Sequence, residues 1–442
     1  MKKLLFLIIM IAAVTGIFAE RMITLEEARE LLLQNNPEYL AKESSLNSAQ
    51  WEMRQSLAAL FPAARLQGGY NYLDPKPFAA AQENYSLSYG VSVSQPLFSG
   101  GKLWLSYRMS RDALKIAQAD LDNTKLNLFS KLEEAYYNYL LTQELYQINR
   151  QALVIAETHL AIARIRLEAG TLSQAEFLQF RSEFSSREVA LLQAENNRQL
   201  SYRQLQNLIK IENFSISPVE PSAYEDLASF FQELQAEQRE AIRERLITYG
   251  IEHNPMLLIS RTGQDISRKA LTMAKGNFLP SVSLSASRNW NNNYSGEYDF
   301  DSSTTYMISA SIPIFPLADN FSGYRKSYHS YRKAERETEA AEDNIKLAIE
   351  SAYYSGMASA KTIISADLAK EYAEETYRMM EERFRNGLIS SVELISIELL
   401  LTTSSLEAAN SKYNFLKNRS LLKNLLNIEN DRELMDIMND ES

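Results

Sequence analysis

Two stretches of this chain alternate apolar and polar residues with a period of two. Tyr85, Leu87, Tyr89, Val91 and Val93 interleave with Ser86, Ser88, Gly90, Ser92 and Ser94. Tyr306, Ile308, Ala310 and Ile312 interleave with Thr305, Met307, Ser309 and Ser311. Successive side chains of a strand point to opposite faces, so each run predicts a strand with one apolar and one serine-rich face. Shorter partners precede them, giving expected strands at about 64–72, 85–97, 281–290 and 304–315. Elsewhere the period changes. Lys102 to Ala169 is 68 residues of good helix formers without Gly or Pro. At helical rise that is about 100 Å. Thr171 to Ser217 also lacks both breakers, and the stretches after Tyr324 and Leu388 match them apart from Gly356. Leu121, Leu128, Leu132, Ala135 and Tyr139 follow the seven-four-three spacing of a coiled-coil face.

The turns between the long helices carry their own chemistry. Gly170 and Gly387 stand where a helix must stop in a left-handed conformation. Just beyond lie Ser173-x-x-Glu176 and Ser390-x-x-Glu393, capping boxes that start the next helix. Helical hairpins are thus expected at about 102–210 and 321–428. Polar, turn-rich stretches at 73–84 and 291–303 join the strand pairs. The pattern is said twice, about 217 residues apart. Asn36-Pro37 recurs as Asn254-Pro255, Pro96-Leu97-Phe98 as Pro313-Ile314-Phe315, and Ala135-Tyr136-Tyr137 as Ala352-Tyr353-Tyr354. A repeat this long is a duplicated structural unit. The expected organisation is a signal peptide at 1–19, a first repeat at 20–212, a linker at 213–240, a second repeat at 241–429 and a tail at 430–442.

Composition narrows the setting. Lys2 and Lys3, the apolar run from Leu4 to Val14 and the small-residue site ending at Ala19 predict a secretory signal. Its removal takes the formal charge from −10 to −12, which argues against nucleic acid and anionic lipid surfaces as electrostatic partners. There is no cysteine, so disulfides, thiolate metal sites and a cysteine-linked acyl anchor are excluded. His159, His253 and His329 lack a second histidine at ligand spacing, so no metal or cofactor is expected. No Ser-His-Asp order or phosphate loop suggests an enzyme.

Four strands cannot cross a bilayer with open edges, because hydrocarbon leaves their backbone groups unpaired. Three chains would supply twelve strands, an even-numbered barrel with room for a water-filled lumen; two chains would make a barrel filled by side chains. The expected fold is an α+β membrane protein with a duplicated repeat. Its four strands contribute to a trimeric 12-stranded β-barrel, and its coiled-coil helices form an α-barrel that projects from the membrane through water.

The chain resembles the TolC-like outer-membrane efflux proteins of Gram-negative bacteria over its whole mature length. The matching features are Leu25-x-x-Ala28, Asn36-Pro37, Phe61-Pro62, Gln95-Pro96-Leu97-Phe98-Ser99-Gly100-Gly101, the two hairpin glycines and the repeat. The resemblance implies a homotrimer set in outer-membrane lipid. It implies a passive exit for an inner-membrane transporter of the RND or ABC class, reached through a periplasmic adaptor (membrane fusion protein). Adaptor-docking tips then fall at Gly170, Thr171, Ser173, Glu176, Gly387 and Ser390. The periplasmic mouth falls at Arg383, Phe384, Arg385, Leu388, Ile389, Glu393 and Ser396. Where relatives carry two ring acids this chain has Glu393 and Ser396, and where they carry a tyrosine–arginine lock it has Phe384 and Ile389. A mouth closed by apolar packing of Phe384, Leu388 and Ile389 is therefore expected. Glu393 has two readings, ring acid and helix cap. Trp104 and Tyr107 likewise suit an interfacial aromatic belt or ordinary helix packing. A soluble periplasmic coiled-coil scaffold or adaptor would explain the helices and leave the strands unexplained.

Overall fold

Each alternating run forms a strand and each breaker-free run is mostly helical in a computed structural model, which describes residues 21–72, 85–218, 222–292, 300–315 and 317–439. The expected signal peptide, the loop at 73–84 and most of the loop at 291–303 lie outside the described residues. In chain order the elements are β1 (Arg21–Ile23), α1 (Leu25–Asn35), α2 (Pro37–Ala58), β2 (Ala63–Tyr72), β3 (Tyr85–Ser99), α3 (Lys102–Glu168), α4 (Gln174–Ile209) and β4 (Phe214–Ile216). They continue as α5 (Ser222–Glu233), α6 (Ala236–His253), α7 (Pro255–Lys275), a short 3-10 turn (Gly276–Phe278), β5 (Ser281–Asn292), β6 (Asp301–Ser311), α8 (Leu317–Arg385), α9 (Ser391–Leu426) and α10 (Asp431–Asn439). Among the described residues no helix is long and apolar enough to cross a membrane. Two compact units share these elements: one comprises residues up to 40, 124–254 and those from 344 on, the other 41–123 and 255–343. Each unit takes matching pieces from both copies. The repeats at 20–212 and 241–429 are thus units of sequence, and the packing units cut across them.

In the second unit the strands pair antiparallel in the order β2-β3-β5-β6. The register sorts the alternation into two faces. One carries the cross-strand rows Ala64–Val93–Ala286–Tyr306 and Leu66–Val91–Arg288–Thr304. The other carries Arg65–Ser92–Ser287–Thr305 and Gln67–Gly90–Asn289–Ser303. Large apolar side chains stay exposed on the first face: Leu66, Tyr70, Leu87, Tyr89, Val91, Tyr306 and Ile308. Strands β2 and β6 each have one unpaired edge in this sheet. The strand was expected to end at about residue 97, and Pro96 lacks the N–H a ladder needs. Instead β3 continues to Ser99 and the register shifts between Pro96 and Phe98. A bulge absorbs the proline and lets pairing resume. Gly100 and Gly101 then turn the chain at φ 63° and 77°. A Cβ on Gly100 would strike the Gly276 carbonyl oxygen, and one on Gly276 would strike that of Gly100. The helices of this unit are tied by Lys42–Asp120 (2.5 Å), Lys269–Asp112 and Arg261–Glu342 (3.3 Å).

In the first unit the parallel pair β1–β4 lies with one apolar core, which includes Ile23, Leu32, Leu128, Leu132, Leu205 and Phe214. A second core gathers Phe231, Leu246, Ile349, Tyr353, Phe415 and Leu426. Residues 430–442, expected as a tail, carry α10, whose Leu434, Ile437 and Met438 complete that core. The short apolar spacing there was masked by the polar residues around it.

The first unit also buries a carboxylate. Glu133 accepts from Arg29 and from the Ser420 hydroxyl, with Lys423 4.0 Å away. Asp431 joins Arg419 at 3.1 Å and Lys423 at 3.4 Å. Burial pushes the Glu133 carboxyl up, but Lys423 and Arg29, with the hydrogen bonds from Ser420 and Arg29, hold it below its ordinary value. A carboxyl lowered by folding stabilises fully above its unfolded value of about 4.5 and loses that contribution as pH falls through the lower folded one. The thermal midpoint of the wild type should therefore drop faster below pH 4.5 than that of Glu133→Gln, which starts lower at pH 7. Parallel pH profiles for the two proteins would contradict this.

Candidate functional site

The helical turns bring nearly all the sequence-selected tip residues together within the first unit. Both turns use the same backbone solution. Gly170 and Gly387 each have φ 72°. Gly170 N–H donates to Leu167 O (3.0 Å) and Thr171 N–H to Arg166 O (2.9 Å). Gly387 N–H donates to Phe384 O and Leu388 N–H to Arg383 O, both at 2.9 Å. This Schellman pattern satisfies carbonyls that a helix end leaves orphaned.

The next helices start equally alike. Ser173 Oγ accepts from Glu176 N–H, and the Glu176 carboxylate accepts from Ser173 N–H at 3.0 Å. Ser390 and Glu393 repeat this, with Ser390 N–H donating to Glu393 Oε2 at 2.8 Å. The two acids differ in what else they meet. Glu176 Oε1 accepts from the buried Ser391 hydroxyl of α9 at 3.1 Å, so a docking-tip residue of one hairpin also fastens the other. Backbone and hydroxyl hydrogen bonds from Ser173, then from Ser391, hold the Glu176 carboxyl below its ordinary value. The Ser390 backbone and hydroxyl do the same for Glu393, with Arg383 adding to the effect. Glu393 is thus a cap and an exposed, firmly ionised acid at once.

The mouth residues separate. Phe384, only 3% exposed, packs with Ala163, Phe180 and Leu394, and its ring centroid lies 5.8 Å from that of Phe180. Ile389 is half-buried against the same cluster. Leu388 is 67% exposed, and Val392 on the following helix and Ile165 on the other hairpin are exposed too. Of the three expected apolar mouth residues, then, Leu388 stays exposed, while Phe384 and Ile389 belong to the chain's own apolar cluster. Arg385 pairs with Glu381 at 2.6 Å in its own helix. Ser396 Oγ donates to Val392 O at 2.8 Å.

Two features of the tip were not anticipated. Arg166 Nη2 donates to Phe384 O (3.2 Å) and Arg385 O (3.0 Å), and its guanidinium lies 4.7 Å from the Phe384 ring centroid. A cation from the first hairpin thereby caps the C-terminus of α8, where carbonyls are unpaired and the dipole is negative. Its repeat mate Arg383 plays a different part, its charge acting on the Glu393 carboxylate. Deeper, the buried His159 Nδ1 meets Glu398 Oε1 among the rings of Phe180, Tyr377 and Phe384. This pair joins α3 to α9. A polar pair in an apolar pocket recurs in no other copy, since Thr376 and Arg181 occupy the repeat positions.

A four-stranded sheet with an exposed apolar face and two unpaired edges, linked to paired antiparallel helical hairpins, defines a subunit of an outer-membrane duct. The comparisons agree. The outer membrane efflux protein family model matches residues 28–209 and 246–427, one match per repeat. The chain belongs to the outer membrane efflux protein family. It is similar to the outer membrane protein TolC of Vibrio cholerae, at 22% identity over 99% of this chain and 98% of that one. It is also similar to TolC of Escherichia coli, at 21% identity over 92% of this chain and 82% of that one. The solved Campylobacter jejuni CmeC outer membrane channel superposes with a TM-score of 0.78 at 15% identity, covering 94% of this chain and 89% of the other. The chain is an outer-membrane exit duct of the efflux and secretion class, a family of channels and not of known enzymes.

Proposed function

We propose that three copies close their sheets edge to edge into a twelve-stranded barrel, and that the helical hairpins of the three copies line a duct. The observation that carries this reading is the sheet: an exposed apolar face, a polar face and one unpaired edge on each of β2 and β6. Hydrocarbon tolerates such a sheet only when it is closed, and four strands are too few to close alone. The polar face of Ser, Asn, Gln and Arg65 suits a watery lumen. The duct is passive and receives cargo from an inner-membrane transporter of the RND or ABC class. A periplasmic adaptor docks at Gly170, Thr171, Ser173, Glu176, Gly387 and Ser390, where two preformed turns offer exposed backbone and acids.

The mouth closes on apolar contacts made by Leu388, with Phe384 and Ile389 packed behind it. Three copies of Glu393 near the axis favour cations over anions. Reconstituted in planar bilayers, the protein should give discrete conductance steps with a cation-selective reversal potential in a salt gradient. Glu393→Gln should keep the steps and reduce the selectivity. A protein that forms no steps would overturn the duct, whereas steps of unchanged selectivity in the variant would remove Glu393 from the lumen.

A further inference from the structure

One cation breaks the apolar face of the sheet. Arg288 lies in the row Leu66–Val91–Arg288–Thr304, exposed among residues that otherwise face lipid in the duct described above, on which this inference rests. A lone arginine on the lipid face is unfavourable near the midplane and less so toward the interface. Its position along the strand is therefore informative. The loops at 73–84 and 293–299 join the strands at one end of the sheet, and the helices join at the other. Arg288 is four residues from the loop end of β5, about 13 Å along the strand.

Its surroundings are built. The guanidinium carbon lies 5.2 Å from the Trp290 ring centroid. Trp290 stacks on Tyr89, its direct cross-strand partner, at 5.2 Å and 16°. Phe300 leans on Tyr89 at 5.2 Å and 59°. Tyr70 lies one row beyond the Trp290–Tyr89 row toward the loops, and Tyr306 lies one row from Arg288 toward the helices. Aromatic residues collect at the membrane–water interface, and a guanidinium on an aromatic face keeps its five donors free for an anion. Among the described residues no carboxylate pairs with Arg288; Asp301, on the neighbouring strand, belongs to the opposite face. Leu66 and Val91 lie level with the cation in its own row, and the apolar surface of Val93, Tyr306 and Ile308 lies on its helix-ward side, where acyl chains would run.

We propose that Arg288, held on the Trp290–Tyr89–Phe300 stack, binds the phosphate of an outer-leaflet lipid, with that lipid's chains lying on Val93, Tyr306 and Ile308. Neighbouring aromatics exclude water from one side of the guanidinium, which strengthens a charge-assisted bond to a phosphate oxygen. An arginine that is an unfavourable intrusion in neutral surroundings thereby becomes an anchor in a phosphorylated leaflet.

The test compares the full-length protein, purified in a neutral detergent, with Arg288→Leu and with Arg65→Gln on the opposite face as control. In neutral detergent the Arg288→Leu protein should melt at or above the wild-type temperature. Addition of bisphosphorylated lipid A should raise the midpoint of the wild type and of Arg65→Gln by about 2–4 °C and leave Arg288→Leu unmoved. Dephosphorylated lipid A should move none of them. Equal shifts in wild type and Arg288→Leu would overturn the site. A wild-type shift with inorganic phosphate alone would overturn the lipid as ligand. The particle mass in the same detergent separates the two levels: assembled trimers indifferent to lipid phosphate contradict only the lipid site, while a chain that stays monomeric contradicts the duct itself.

Discussion

Replacing Glu398 by alanine should lower the stability of the helical tip by about 3–5 kcal/mol, read as a drop in the thermal midpoint. The carboxylate is 4% exposed and His159 2% exposed, and water reaches neither readily. Removing one partner leaves the other buried among Phe180, Tyr377 and Phe384 with no compensating group. A buried pair of this kind is not in itself a large source of stability, because taking both groups out of water costs about as much as their contact returns. Exchanging both partners for apolar residues of similar volume, Glu398→Leu with His159→Phe, should therefore restore most of what Glu398→Ala loses. The comparison separates an intrinsic contribution of the pair from the penalty of an orphaned partner. The functional consequence lies at the mouth. Phe384 is held between this pair and Arg166, so loosening the pair should free Leu388 and raise single-channel conductance in Glu398→Ala. If Glu398→Ala melts and conducts as the wild type does, the aromatic cluster alone holds the tip and the pair has no part in it.

Substituting Gly100 by alanine should be comparably damaging, for two separable reasons. Gly100 sits at φ 63°, where an L side chain costs about 1–2 kcal/mol. Its added methyl would also strike the Gly276 carbonyl, and overpacking of this kind costs about 1–3 kcal/mol more. Nature has supplied the controls. Gly101 has φ 77° but nothing within 4 Å of a Cβ, so Gly101→Ala should show the backbone cost alone. Gly276→Ala should show the collision alone. The expected order of stability loss is Gly100→Ala largest, with the two controls each smaller. Because this crossing sets where α3 leaves β3, the yield of assembled particles from Gly100→Ala membranes should fall with it. Equal losses in Gly100→Ala and Gly101→Ala would mean that the two backbones separate freely and that their contact does not fix the strand-to-helix turn.

What the sequence made legible was local. Period-two alternation placed the strands. The absence of breakers placed the long helices, and Gly170, Ser173-x-x-Glu176 and their repeat mates placed the tips. Each of these signals spans only a few residues, and its energetic cause is equally short-ranged. Pairings across the chain were not legible. Arg166 reaches carbonyls of residues more than two hundred positions away, and its mate Arg383 has the same identity in a different role. Glu133 and Glu350 occupy equivalent positions, yet one is held by Arg29 and the other meets Arg243 at 3.0 Å. The acids repeat and their cations do not, so duplication alone could not match them. His159 was weighed as a metal ligand and found without a second histidine; its carboxylate partner lay on another helix. At Pro96 the expectation was sound chemistry applied too strictly, since a bulge lets a strand pass the missing N–H. Among the mouth residues, apolar character was legible, but not which of Phe384, Leu388 and Ile389 would turn inward. That depends on Phe180 and Leu394 from two other helices.

The mass of the purified protein in detergent, measured by native mass spectrometry with the detergent stripped, tests the central claim most directly. A sheet with unpaired margins on β2 and β6 must find them in neighbouring copies, so the particle should contain three chains and need detergent to stay dispersed. A single chain, stable in plain buffer, would contradict the account.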